Sequence, residues 1–347
     1  MIRRVCSATL LLGVLLRPGV AGAQERSLAR DAALNNLVHP EGYRTAPPGS
    51  LGDVKTTGTG SRHMILIAGL GFSGGVFEEF MARRAAEYRM HAVTLAGFGG
   101  TPALPMPAPG GSYADAPWTH SAERAILALM DREGIRQATL VAHWALSTQI
   151  ALRLALDHPD RFDAVILVAG VAKSYYASIP AMRTWTPAER AKYADGLADR
   201  WFRTVTRKTW DDNNYMSYDY AVNARRGLFL WREAAMPPLS VWIRYLLEFY
   251  AIDIVPELPR LRVPTLVVQP GFDDPGFYVE PNWDYMRNLC LDSWQGIEPA
   301  AGTIELAKVS GSRLFIMYDK PEELDRLIGA FLARVRRQTP APAEKKG

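Results

Sequence analysis

Six histidines and a few serines and aspartates carry whatever nucleophilic or acid–base chemistry this chain can do. The histidines are His39, His63, His91, His120, His143 and His158, so no imidazole follows residue 158 of 347. A serine nucleophile needs a general base beside it, most often histidine. Gly71-Phe72-Ser73-Gly74-Gly75 matches G-x-S-x-G, the pattern that sets such a serine on a sharp strand-to-helix turn. Ser73, however, trails the strand residue Ile67 by six positions, and it reads better as the N-cap of a helix beginning near Val76. The overlapping Gly69-Leu70-Gly71-Phe72-Ser73-Gly74 fits G-x-G-x-x-G, but Leu95-Ala96-Gly97 stands where a dinucleotide site needs an acid. No cofactor is expected. Ser147 with His143 is the nearest substitute for a serine–histidine pair, although each has a plainer reading, a helix cap and a buried histidine satisfied by backbone. His120 reads as the start of a helix. No H-E-x-x-H or cysteine cluster supports a metal, and Asp211-Asp212-Asn213-Asn214 resembles a calcium loop in composition without its spacing.

The elements that must position these groups alternate. Apolar, β-branched runs at Met64–Ala68, His91–Ala96, Thr139–Ala142, Ala164–Ala169, Thr265–Val268 and Ile304–Val309 predict buried parallel strands. Helical periods fall between them at Val76–Tyr88, Ser121–Glu133, Thr148–Asp157 and Pro321–Arg334. That order predicts an α/β fold, a doubly wound, mostly parallel sheet with its chemistry at the carboxyl ends of the strands. The Pro/Gly-rich stretch from Gly97 to Pro117 reads as a long surface loop. Residues 171–257 break the alternation and hold five of the nine tryptophans and eight of the fourteen tyrosines. Helical periods at Ala188–Thr204 and Leu239–Ile252 make this insertion a helical lid whose aromatics roof an apolar pocket.

In this setting the chain resembles the α/β-hydrolase superfamily of esterases and epoxide hydrolases over roughly residues 50–335. The resemblance is carried by Ile65-Leu66-Ile67-Ala68-Gly69-Leu70-Gly71, Leu95-Ala96-Gly97-Phe98-Gly99-Gly100, the helix from Ala151 to Arg161, Val263-Pro264-Thr265-Leu266-Val267-Val268 and Leu314 to Glu322. It implies a nucleophile elbow after the strand ending in Ala142. Counting from the strand puts Trp144 at the nucleophile position; counting back from Pro159 puts Ala145 there, as if the turn held one extra residue. Neither can attack a carbonyl. The family's catalytic histidine follows the last strand, and Ser310-Gly311-Ser312-Arg313-Leu314-Phe315 places Leu314 at it. Asp274, before Pro275, matches the acid position. The backbone N–H of Leu70 is the expected oxyanion donor, which a changed side chain does not remove. Losing the serine or the histidine of such a triad costs about a millionfold in kcat, roughly 8 kcal/mol of barrier.

Residues 1–23 read as a secretory signal: Arg3 and Arg4, an apolar run from Val5 to Leu16, and a small-residue cleavage site at Ala21-Gly22-Ala23. The run is too short to span a bilayer, so a secreted or periplasmic protein without a stable membrane span is expected. Removing Arg3, Arg4 and Arg17 lowers the net charge from +4 to +1, which leaves no basic footprint for nucleic acid. Cys290 is then the only cysteine, so no internal disulfide forms. The expected organisation is signal 1–23, core 24–170, lid 171–257, core 258–335 and a disordered basic tail 336–347. The reading favoured is a binder of a small apolar or ester-like molecule, with Trp144, Ala145 and Leu314 lining a pocket at the former triad. The alternatives are a divergent ester hydrolase using Asp274, Ser147, His143 or a tyrosine from the lid, and a partner-binding protein.

Overall fold

The computed structural model describes residues 44–107, 110–176, 178–213, 217–277, 285–297 and 302–338. The expected signal and most of the expected tail lie outside them. Seven strands form one sheet: β1 Asp53–Thr57, β2 Arg62–Ile67, β3 Tyr88–Thr94, β4 Ala138–His143, β5 Phe162–Val168, β6 Thr265–Pro270 and β7 Ile304–Val309. Their order is β1-β3-β2-β4-β5-β6-β7. Only β1 runs antiparallel, pairing Asp53 with Thr94 through Thr57 with Met90. The other pairs are parallel. Each predicted strand is present within a few residues of its expected ends, because buried parallel strands must be apolar on both faces. Every residue of β4 is buried.

Helices α1 Glu78–Arg84, α2 Pro117–Arg132, α3 Leu146–Asp157 and, after β7, the short α10 Ile316–Asp319 and long α11 Pro321–Gln338 flank the sheet. Between β5 and β6 the described chain makes no strand. It forms α4 Pro187–Thr204, α5 Arg207–Asn213, α6 Ser217–Tyr220, α7 Ala224–Ala235 and α8 Leu239–Ala251, and α9 Tyr285–Cys290 follows β6. Thr186 starts α4 with a capping box, exchanging bonds with Glu189. Helix α8 is buried along its whole length, which its apolar sequence requires.

Two glycines let α8 sit on the strand ends. A Cβ on Gly71 would come 2.0 Å from the Trp242 ring, and one on Gly97 would come 2.7 Å from Val241. Tyr245 completes the contact by donating its hydroxyl hydrogen to the carbonyl of Ala96 at 3.1 Å. Core and helical insertion thus share one apolar interior.

Candidate functional site

The chain leaves β2 toward β3 on one side, then crosses to β4 on the other. In an open parallel sheet, that reversal opens a crevice at the strands' carboxyl ends. Two loops meet there, the one after β2 and the turn joining β4 to α3. The turn is tight and strained. Trp144 has φ 54° and Ala145 has φ 49°, ψ −130°. Side chains rarely tolerate this half of backbone space, and each such residue costs on the order of 1–3 kcal/mol. Trp144 N–H donates to Val168 O at 3.1 Å and Thr148 N–H to Ala145 O at 3.0 Å, which holds the turn shut. Helix α3 begins at Leu146, so Ala145 is the apex residue that leads into it. Both positions left open by counting, Trp144 and Ala145, lie in the turn between the end of β4 at His143 and the start of α3 at Leu146.

His143 and Ser147 flank this turn, and each is occupied elsewhere. Ser147 Oγ donates to Ala68 O at 2.5 Å. His143 Nε2 lies 3.2 Å from Leu314 O, which assigns the ring proton to that nitrogen. The imidazole fills the space left by Gly69, where a Cβ would stand 2.6 Å from Nδ1. Complete burial pulls its pKa down to about 4, so the ring is neutral near pH 7. The two side chains form no hydrogen-bonded pair; instead Ser147 staples the start of α3 to the loop after β2, and His143 staples the end of β4 to the loop after β7.

The acid position is occupied as well. Asp274 takes two bonds from one guanidinium, Arg313 Nη2 to Oδ1 and Nε to Oδ2, each at 2.8 Å, and its Oδ1 also accepts from Gly276 N–H at 3.1 Å. Hydrogen bonding to Arg313 holds the Asp274 carboxyl below its usual range. Arg313 also donates to Tyr218 O at 2.6 Å, linking the pair to α6. Such a buried bidentate pair is geometrically specific, and it leaves Asp274 committed to arginine. Leu314 is fully buried: its N–H donates to Asp219 O at 3.1 Å, and Phe315 N–H donates to Tyr220 O at 2.8 Å. The last loop is therefore zipped to α6.

A cavity lies between the β4–α3 turn and the insertion, lined by Trp144, Trp210, Asp211, Tyr220, Trp231, Ala234, Ala235, Trp242, Leu246 and Tyr285. Its volume is about 30 Å³, room for roughly two waters. The aromatics expected to roof a pocket do line it. Of the three residues expected in its wall, only Trp144 is there. Ala145 and Leu314 are not, because the zipped loop seals that end and the Tyr220 ring packs against Phe72 and Phe315. Leu70 is buried, and its N–H has no hydrogen-bond partner among the described residues.

The other candidates have structural roles. Ser73 caps the short helical turn Gly74–Phe77, and Glu233 of α7 accepts from its N–H at 2.8 Å and its hydroxyl at 2.5 Å. A carboxylate thus occupies the glycine loop's helix start, where a phosphate would have to bind. His120 lies in the first turn of α2, with Nδ1 2.8 Å from Glu123. Asp211 and Asp212 are helical and pair with Arg207 and Lys208 one turn earlier. Sequence reasoning missed Arg313, whose only signal is a lone arginine beside Leu314.

Fold, strand order and turn define a class. The family model described as the alpha/beta hydrolase family matches residues 64–327, and the chain belongs to that family. Its curated relatives include the pimeloyl-(acyl-carrier protein) methyl ester esterase of Aeromonas hydrophila, 28% identical over 215 residues that cover 60% of this chain and 76% of that protein. The enzyme of the same name from Proteus mirabilis is 27% identical over 156 residues, 44% of this chain and about half (52%) of that protein's length. Among solved structures, a carboxylesterase of Nitrososphaera gargenis aligns with a TM-score of 0.60 at 18% identity, over 85% of this chain and 99% of that one. A thermophilic esterase from Thermogutta terrifontis aligns at 0.55 and 15%, over 82% and 93%. At these identities the structures speak for the fold alone.

Proposed function

We propose that this chain is a non-hydrolytic member of its family that binds a small apolar or ester-like molecule beneath the helical insertion, which serves as a lid. The observation that carries this reading is Ala145 at the apex of the β4–α3 turn, where the family's G-x-S-x-G serine belongs. His143-Trp144-Ala145-Leu146-Ser147 fills the five positions of that motif in register, and Leu314 takes the place of the base. A methyl group cannot attack a carbonyl, and Asp274 has an arginine rather than an imidazole to hold. What remains is the binding half of an esterase site: the Leu70 N–H, the strained turn and an aromatic cavity. Export of the mature protein is part of this proposal, supported by the signal-like pattern of residues 1–23.

The test is binding without turnover. Titrating purified protein with short methyl esters is expected to quench tryptophan fluorescence, while proton NMR shows the ester intact and no methanol released. A second reading, hydrolysis by an unconventional route, draws support from the activity named for the curated relatives. Methanol release that disappears in Ser147→Ala or Asp274→Asn would favour it over the binder.

A further inference from the structure

We infer that the indole N–H of Trp144 is the ligand-recognising donor of this cavity, and that the ligand is a neutral molecule presenting a carbonyl oxygen to it. The inference deepens the binder reading and rests on it. Among the described residues, six buried side-chain polar atoms lack a hydrogen-bond partner: those of His63, His91, His143, Trp144, Gln149 and Ser240. Only Trp144 among these lines the cavity. Its Nε1–H is therefore a buried donor with nothing to donate to, a costly state that an acceptor in the cavity would relieve. The neighbouring Trp242 shows the contrast, since its indole donates to Ala234 O at 2.6 Å.

The backbone adds an independent observation. Trp144 is a bulky residue held at φ 54° and only 3% exposed. Such conformations persist where surrounding structure enforces them, and they cluster at ligand sites. Here the strain aims the largest side chain of the turn at the insertion rather than back into the sheet.

The remaining wall sets the ligand's charge and body. Asp211 brings a carboxylate to the lining, already paired with Arg207 at 3.0 Å. Among the described residues, the lining holds no lysine, arginine or histidine to receive a free carboxylate on the ligand, so a neutral ester, lactone or ketone is the class that fits. Trp210, Trp231, Trp242 and Leu246 offer flat and aliphatic surface for its apolar body. All four belong to the insertion, so a ligand larger than the volume of about 30 Å³ requires the insertion to shift to admit it.

The experiment compares methyl benzoate with propylbenzene, which has the same ring and three-atom chain but no carbonyl or other acceptor. Trp144→Phe keeps an apolar ring and removes the N–H. It is expected to weaken methyl benzoate at least fivefold more than it weakens propylbenzene. Equal weakening of the two overturns the role given to Trp144 and leaves the binder reading standing. Binding of neither by the natural protein overturns both. A measurement on the natural protein guards against a misfolded variant: methyl benzoate should shift the Trp144 Nε1–H proton resonance downfield, and propylbenzene should not. An indole resonance that responds alike to both contradicts the inference.

Discussion

His143 shows at the residue scale how one side chain can exchange chemistry for architecture. Its ring lies at the mouth of the sheet, yet it spends its one proton on Leu314 O and is sealed from solvent by Phe72 and Phe315. The pKa of about 4, against an ordinary 6.5, makes this a statement about stability. The unfolded chain takes a proton near pH 6.5 and the folded chain does not until about pH 4. The contribution is therefore complete above pH 6.5 and is lost as the pH falls from 6.5 toward 4. At 1.36 kcal/mol per pH unit, the loss is about 3 kcal/mol. His143→Phe should remove this component, so its unfolding free energy falls by about 3 kcal/mol less between pH 7 and pH 4 than that of the natural protein. Urea melts at the two pH values measure this, and an unchanged acid limb would show that the ring is protonated or solvent-exposed in the folded state.

Among the elements, the contact of α8 with the strand-end loops depends on backbone that no side chain can share. Gly71→Ala places a methyl group 2.0 Å from the Trp242 ring at φ 92°. It should cost about 2–4 kcal/mol and perturb tryptophan fluorescence. Gly134→Ala, at φ 66° with nothing within 4 Å, should cost only the backbone strain of about 1 kcal/mol. Thermal melts of both variants check this, and equal losses would mean that α8 does not bear on Gly71. The elements themselves were largely legible in the sequence, because a strand buried on both faces has to be a continuous apolar run. The strand β1 was not. Asp53-Val54-Lys55-Thr56-Thr57 is almost wholly exposed at the sheet edge and carries no apolar pattern to read. The start of α1 was missed for a related reason: Gly74–Phe77 winds as a tighter 3-10 turn, capped by Ser73, before the α-helix begins at Glu78.

For the whole molecule, the sequence made the distribution of the histidines legible but not how the strand-end loops are held. That no histidine follows residue 158 is visible by inspection. That Arg313 grips Asp274 across 39 positions, and that the loop bearing Leu314 is bound to α6 and so closed to the cavity, are facts of folding. Hydrogen bonds between distant loops leave no periodicity in the chain. Counting leaves Trp144 and Ala145 both open because each lies in the two-residue turn between β4 and α3. The resulting molecule has the family's sheet, with a strand-end crevice and an aromatic helical insertion beside the β4–α3 turn. The most direct test is to treat the intact purified protein with a fluorophosphonate probe and map any adduct by mass spectrometry. The account predicts that no serine is labelled, while a short methyl ester still quenches the tryptophans. Covalent labelling of Ser147, or of any serine at the strand ends, would contradict it.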